Sequence, residues 1–295
     1  MNVAALERLD GLALHVRRGM GERPGDRRFP GRPQPSGIEL EAHAAYAPGD
    51  DLRHLDWNAL GRLDTLLVRR FTAEREVTVH LLLDCSASMG VPARDRKLAV
   101  AADVTLALAY LALAANDAVR VVRLGGDGAA AVSPILRQRA SVLRVGQVLD
   151  GARAEGPLAF SAALESYARR HARPGLAIVV SDLMLDPADL ERGLRALHAR
   201  RYAVLLVHVV GRAELEPARD FSAGLLTDPE TGATHPMVLT TSALAQYEAL
   251  LQEHLRALAL AAERTATVYA RLVTDAPVHD FVAVDLPRLG VVRRR

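Results

Sequence analysis

In the stretch HLLLDCSASMG (residues 80–90), Asp84, Ser86 and Ser88 set an oxygen-bearing side chain at every second position. A carboxylate and two hydroxyls are hard donors. They suit Mg²⁺, with Mn²⁺ or Ca²⁺ as near alternatives, better than a metal that prefers imidazole or thiolate. A further carboxylate, Asp182, ends a second apolar run, GLAIVVSD. Serine and aspartate also cap helices, so the same residues would serve a loop that only opens a helix.

Other chemistries lack their parts. The string holds no Gly-x-Ser-x-Gly elbow and no phosphate-cradling Gly-x4-Gly-Lys-Ser/Thr loop. Its histidines are scattered, with neither His-Glu-x-x-His nor paired cysteines, which argues against zinc. The GGDG at 125–128 lies between two strand-like runs and reads as a hairpin turn. Cys85 alternates with the three oxygen donors, so its side chain is expected to face the interior as a structural thiol. In GDDLRHLDWNALGRLDTLLVRRF, His54 beside Asp51 or Asp56 could act as a base. With no nucleophile nearby, the expected role of Asp50, Asp51, Arg53, His54, Asp56, Arg62 and Asp64 is an Arg–Asp network. Trp57 would be its apolar anchor, fastening this segment to the main domain.

The elements that must position these residues follow from hydropathy. VTVHLLLD (77–84), GLAIVVSDLM (175–184) and YAVLLVHVV (202–210) are near-continuous apolar runs, the pattern of strands buried on both faces. AVRVVRL (118–124) and AAAVSPI (129–135) read as a strand and its hairpin partner, and 265–274 as a further strand. Helices are expected over 2–20, 95–116, 139–154, 160–172, 186–201 and 243–264. In the fifth of these, Asp186 is the N-cap and Pro187 the first residue. Residues 20–37 are rich in Gly, Pro and Arg and read as an exposed basic arm. Alternating strands and helices give an α/β fold with a mostly parallel sheet. Ligand sites in such sheets form at the carboxyl ends of the strands.

Composition bounds the rest. Half of the 295 residues are apolar, enough for one large domain plus an extension. A formal charge of +2 gives no general attraction to nucleic acid. No uninterrupted apolar run reaches about 18 residues, so no membrane span is expected. The acid-bearing N-terminal stretch does not read as a signal peptide. One cysteine fits a reducing, cytoplasmic setting. Lys97 is the only lysine beside many arginines, a bias that hints at a GC-rich bacterial genome.

Asp84-x-Ser86-x-Ser88 resembles the metal-ion-dependent adhesion site of von Willebrand factor A domains. The longer stretch YAPGDDLRHLDWNALGRLDTLLVRRFTAEREVTVHLLLDCSASMG, with VSDLM, LLTDPETG and ARLVTDAP downstream, resembles the bacterial domain-of-unknown-function 58 family over about residues 10 to 291. The resemblance implies a Rossmann-like von Willebrand A domain over 76–275, preceded by an N-terminal segment (1–75) and followed by a tail (276–295). It implies a metal site in which Ser86 and Ser88 ligate directly and Asp84 and Asp182 act mainly through water. An acidic side chain of a client protein would complete the shell. The family's usual threonine falls at Leu158, which has no oxygen to give. Metal affinity is thereby weakened unless water, or Ser161 three residues on, fills the place. The implied function is a non-enzymatic protein-interaction module working with a MoxR-type AAA+ ATPase in protein assembly. The alternatives are a metal-dependent hydrolase using Asp84 and Asp182, and a structural adaptor whose metal site has decayed.

Overall fold

The computed structural model describes residues 3–15, 38–47, 55–63, 65–73, 77–126, 128–171, 173–217 and 223–294. The arm at 20–37 and the residues Asp50, Asp51, Arg53, His54 and Asp64 lie outside that set. The chain divides into two compact units, residues 1–22 with 77–295, and residues 23–76.

The larger unit begins with α1 (Val3–Glu7) and β1 (Leu12–Leu14) and resumes at β4 (Thr78–Asp84). Then come α3 (Lys97–Ala114), β5 (Ala118–Gly125), β6 (Gly128–Val132), α4 (Val142–Asp150), α5 (Phe160–Arg170) and β7 (Leu176–Ser181). They are followed by α6 (Pro187–Ala199), β8 (Ala203–Val210), α7 (Arg212–Leu215), β9 (Ala223–Thr227) and β10 (Thr234–Val238). The unit ends with α8 (Thr241–Arg264), β11 (Val268–Val273), a run of short helical turns and β12 (Val292–Arg294). The central sheet has the order β11-β8-β7-β4-β5-β6. Every neighbouring pair is parallel except β5 with the edge strand β6, so this is the mostly parallel α/β sheet expected.

Continuous apolar runs form the middle strands because both sheet faces are covered. Leu81 and Leu83 of β4 pack with α3 and α4, while Leu82, on the opposite face, packs with α5, α6 and α8. Each fully buried leucine of this kind contributes roughly 2–3 kcal/mol. By length and composition, the helical stretch Ala93–Ala114 is apolar enough to cross a bilayer, although Lys97 and Asp103 interrupt its apolar run. Here Ala101, Val104, Ala107, Leu108 and Leu111 are buried in the core against β4 and β5. Close approach also constrains the sheet edge. A Cβ on Gly175 would lie 2.0 Å from the Thr78 carbonyl oxygen, so only glycine fits where β7 starts beside β4.

Asp186 caps α6 as expected, its Oδ1 accepting from the Ala188 amide at 2.7 Å, with Pro187 opening the helix. Asp186→Ala is therefore expected to cost about 1 kcal/mol, seen as a lower urea midpoint at unchanged slope.

In this unit two readings change. The helix expected over 2–20 is only α1. Gly11, at φ +86, turns the chain, and β1 then pairs antiparallel with β12. The leucine spacing serves both shapes, because Leu6 and Leu9 are buried from the helical turns and Leu14 from the strand. Residues 276–295, expected as a tail, send Phe281, Val282, Leu286, Val291 and Val292 into the core around α3. The hairpin β9–β10 was not foreseen. It lies almost wholly in solvent, so no alternation of apolar and polar residues marks it.

In the smaller unit, β2 (Ile38–Ala45) pairs antiparallel with β3 (Leu67–Ala73), with α2 (Trp57–Leu63) between them in sequence. Asp56 caps α2, its Oδ1 accepting from the amides of Asn58 (3.1 Å) and Ala59 (3.2 Å). Trp57, expected as an apolar anchor, is instead 67 % exposed at the first position of that helix.

Candidate metal centre

From β4 the chain passes through α3 to β5 on one side, whereas β7 lies on the other side of β4. The connections diverge at the carboxyl ends of β4 and β7, the kind of crevice in which open α/β sheets bind ligands. Asp84 is the last residue of β4, and Asp182 follows the last residue of β7. The two are 3 % and 2 % exposed.

Both strand tips feed one hydrogen-bonded cluster. The Ser86 and Ser88 hydroxyl oxygens are 2.9 Å apart, and Ser88 donates to Asp182 Oδ1 at 3.3 Å. Asp84 Oδ1 accepts from the Ser86 amide at 2.8 Å, and its Oδ2 accepts from the Ser181 hydroxyl at 2.6 Å. The loop that carries the serines is pinned on several sides. The Cys85 amide donates to Leu124 O (3.0 Å), that of Ala87 to Gly156 O (2.7 Å), and that of Glu155 to Cys85 O (3.0 Å). All four expected residues are thus brought together.

The cluster also holds residues that motif reading did not assign to it. The Lys97 ammonium, at the start of α3 and buried, lies 2.7 Å from Asp182 Oδ2 and 2.5 Å from Glu214 Oε1. Burial alone would push its pKa down, but the charges of Asp182 and Glu214 hold it above the ordinary value. Burial, then the charges of Asp84 and Asp182, raises the pKa of Glu230 in the turn between β9 and β10. His208 on β8 lies 2.8 Å from the Asp182 carbonyl through Nε2 and 2.7 Å from the Tyr269 hydroxyl through Nδ1. A carbonyl can only accept, so Nε2 carries the proton and Nδ1 accepts from Tyr269. This fixes the backbone at Asp182. The sequence did hold one signal for Lys97, the sole lysine of an arginine-rich chain.

The donor set fits a small dication. The two serine oxygens, hydrogen-bonded to each other at 2.9 Å, are also close enough to take adjacent corners of an octahedron with bonds of about 2.05 Å. Charge points the same way. Asp182 and Glu214 share the ammonium of Lys97, and the charge of Asp182 also acts on Asp84. Burial, then the charge of Asp182, raises the pKa of Asp84, against the hydrogen bonds from Ser181 and Ser86. A bound cation would relieve both. Among the described residues, no three His, Cys, Asp or Glu side chains are grouped to hold a metal, so the ligands would be hydroxyls and water as well as carboxylate.

The threonine place stays without an oxygen. Leu158 is half-buried, bridges to Gly126 and packs against the core of α5 and α6. The Ser161 hydroxyl donates to Asp189 Oδ1 at 2.7 Å and is committed there. Cys85 is buried as expected, and burial pushes its thiol up to about 12, far from a nucleophile's range.

A family profile described as "Protein of unknown function DUF58" matches residues 43–257. Uncharacterized proteins of Mycobacterium bovis and Mycobacterium tuberculosis are 32 % identical over 203 residues, covering 66 % of this chain and 62 % of theirs. The chain thus spans less than two thirds of the length of those relatives. Among solved structures, it is similar to the conserved hypothetical protein BatB from Bacteroides thetaiotaomicron, with TM-score 0.46 and 14 % identity over 72 % of this chain and 98 % of that one. It is also similar to the SpRpn10 VWA domain, with TM-score 0.35 and 13 % identity over 70 % of this chain and 94 % of that one.

Proposed function

This chain belongs to the DUF58 family and has a von Willebrand factor A-like fold, and from that premise we propose that it is a non-enzymatic protein-interaction module whose strand-tip cluster binds Mg²⁺, or Mn²⁺ or Ca²⁺ in its place. Ser86 and Ser88 would ligate directly, and Asp84 and Asp182 mainly through water. An acidic side chain of a client would complete the shell. The partner we propose is a MoxR-type AAA+ ATPase, with the pair acting in protein assembly in a bacterial cytoplasm. The arginine bias and the mycobacterial relatives support the bacterial source. The single reduced cysteine supports the compartment.

One observation carries the reading: two serine hydroxyls at the spacing of adjacent octahedral ligands, beside buried carboxylates that outnumber their one ammonium. Calorimetric titration with millimolar MgCl₂ or MnCl₂ is expected to give a binding isotherm with the wild type. Ser86→Ala should lose at least about tenfold in affinity. No isotherm with wild type, or an equal one with Ser86→Ala, would overturn the metal reading. Phosphatase or nuclease turnover abolished by Asp84→Ala would overturn the non-enzymatic one. Affinity purification with and without Mg²⁺ that never recovers an AAA+ ATPase would remove the partner. The second reading, an adaptor with a decayed site, draws on Leu158 at the threonine place, and a flat wild-type titration is its expected result.

A further inference from the structure

Arginine gathers where the chain enters β7 and β8, at the opposite end of these strands from Asp182. Helix α5 ends in Arg169 and Arg170, and Arg173 follows in the loop to β7. Helix α6 runs out into Arg200 and Arg201 before β8. The two entrances abut: Gly175 O accepts from the Ala203 amide at 2.9 Å, and His171 O accepts from the Tyr202 hydroxyl at 3.1 Å. All five arginines are exposed. Arg169 meets Glu165 at 3.4 Å, whereas among the described residues Arg170, Arg173, Arg200 and Arg201 pair with no acid. Basic residues suit the carbonyl end of a helix, which accounts for Arg169 and Arg170 in the last turn of α5. It does not account for Arg173 or Arg201, which lie beyond their helices.

The backbone at Arg201 adds an independent observation. The Tyr202 amide donates to Leu197 O (3.2 Å) and the Arg201 amide to His198 O (2.8 Å), closing α6 with Arg201 at φ +63. That position ordinarily takes glycine, because a Cβ is strained there. The fold gains no contact in return, since the Arg201 side chain is exposed and unpaired among the described residues. Strain of this kind marks sites whose purpose lies outside the fold. The face also limits its partner. Over residues 165–175 and 195–203 no described large apolar side chain is exposed, and Tyr167 and Tyr202 are buried. It therefore lacks the apolar wedge of a bilayer-binding surface and the open rings on which bases stack. Guanidinium forks match carboxylates two bonds at a time.

We propose that this pole is a second docking surface, which takes an acidic segment of a partner protein on Arg170, Arg173, Arg200 and Arg201. It lies about 20 Å from the strand-tip cluster, the length of the six-residue β7, so the two can be occupied together. It does not depend on metal at that cluster.

The test measures fluorescence anisotropy of a labelled Glu-Gly repeat peptide with the whole chain at low salt. Wild type should bind it, and about 0.3 M NaCl should weaken the binding by screening. Arg173→Glu/Arg200→Glu should lose at least about tenfold in affinity, because like charges then face each other. Arg144→Glu/Arg256→Glu makes the same change in net charge at exposed positions elsewhere and should bind as wild type does. Arg201→Gly should move two readouts apart, its urea midpoint rising as the strain goes while its affinity falls about threefold. No binding by wild type would overturn the proposal, as would equal losses in the two double variants. Phosphatidylglycerol vesicles or oligothymidylate binding more tightly than the peptide, and released by Arg173→Glu/Arg200→Glu, would overturn the acidic protein segment as the occupant.

Discussion

Lys97→Met should lower the stability of the protein by about 3–5 kcal/mol, the usual cost of removing one member of a buried ion pair and stranding the other. The pair is Lys97 with Asp182 at 2.7 Å, each side chain 1 % exposed. Glu214, 16 % exposed, can turn to water once the ammonium is gone, but Asp182 cannot. The loss should therefore shrink in the double variant Lys97→Met/Asp182→Asn, where neither charge remains. A double-mutant cycle in urea reads that coupling directly. Millimolar Mg²⁺ should restore part of the stability of Lys97→Met, because a cation bound only by the native state stabilises it by linkage. A loss below about 1 kcal/mol would show that the ammonium is not held as the geometry places it. The pair is fully formed at neutral pH. A lysine raised above its unfolded pKa contributes below that unfolded value and loses the contribution as pH rises through the folded one.

Acid should act through two buried histidines. His80 lies 2.6 Å from the Tyr167 hydroxyl and meets Tyr167 and Tyr202 edge-on. Burial, then the charges of Arg120 and His171, lowers it from 6.5 to about 4. His208 is lowered to about 3, chiefly by burial, with His254, Arg271 and Lys97 adding to it against its bond to Asp182 O. Between these values and 6.5 the unfolded chain binds protons that the folded chain refuses, so stability falls as pH falls through that window. Asp84 works in the opposite sense. Its folded pKa is raised, so it favours the folded state as pH drops toward its unfolded value. The clean quantity is therefore a difference. Between pH 7.5 and 5, wild type should lose about 4 kcal/mol more than His80→Gln/His208→Gln, near 2 kcal/mol for each histidine. Parallel pH curves of urea midpoint for the two proteins would contradict it.

The legible parts of the fold were those where one physical demand dominates. A strand covered on both faces must be apolar throughout, so β4, β7 and β8 stood out. Asp186-Pro187 can hardly do anything except start a helix. The strand tips were legible for the same reason, since a buried run ending in Asp84 or Asp182 has to deliver that carboxylate somewhere. What escaped depended on partners far away in sequence. β1 exists only because β12 comes back to it, from a region that itself looked like a tail. Trp57 looked like an anchor by residue type alone. Lys97 and Glu214 reach the cluster from the start of α3 and from α7, and no local periodicity points at either place.

The sequestered thiol of Cys85 has a practical corollary. A thiol raised to about 12 and shut away from solvent is silent toward maleimides and methanethiosulfonates at neutral pH. Two cysteines installed elsewhere, one at the exposed Thr231 and one at the exposed Asp150, would then be the sole responders on an otherwise native background. Spin labels there would form a molecular ruler, reporting in ångströms the distance from the hairpin tip to the end of α4.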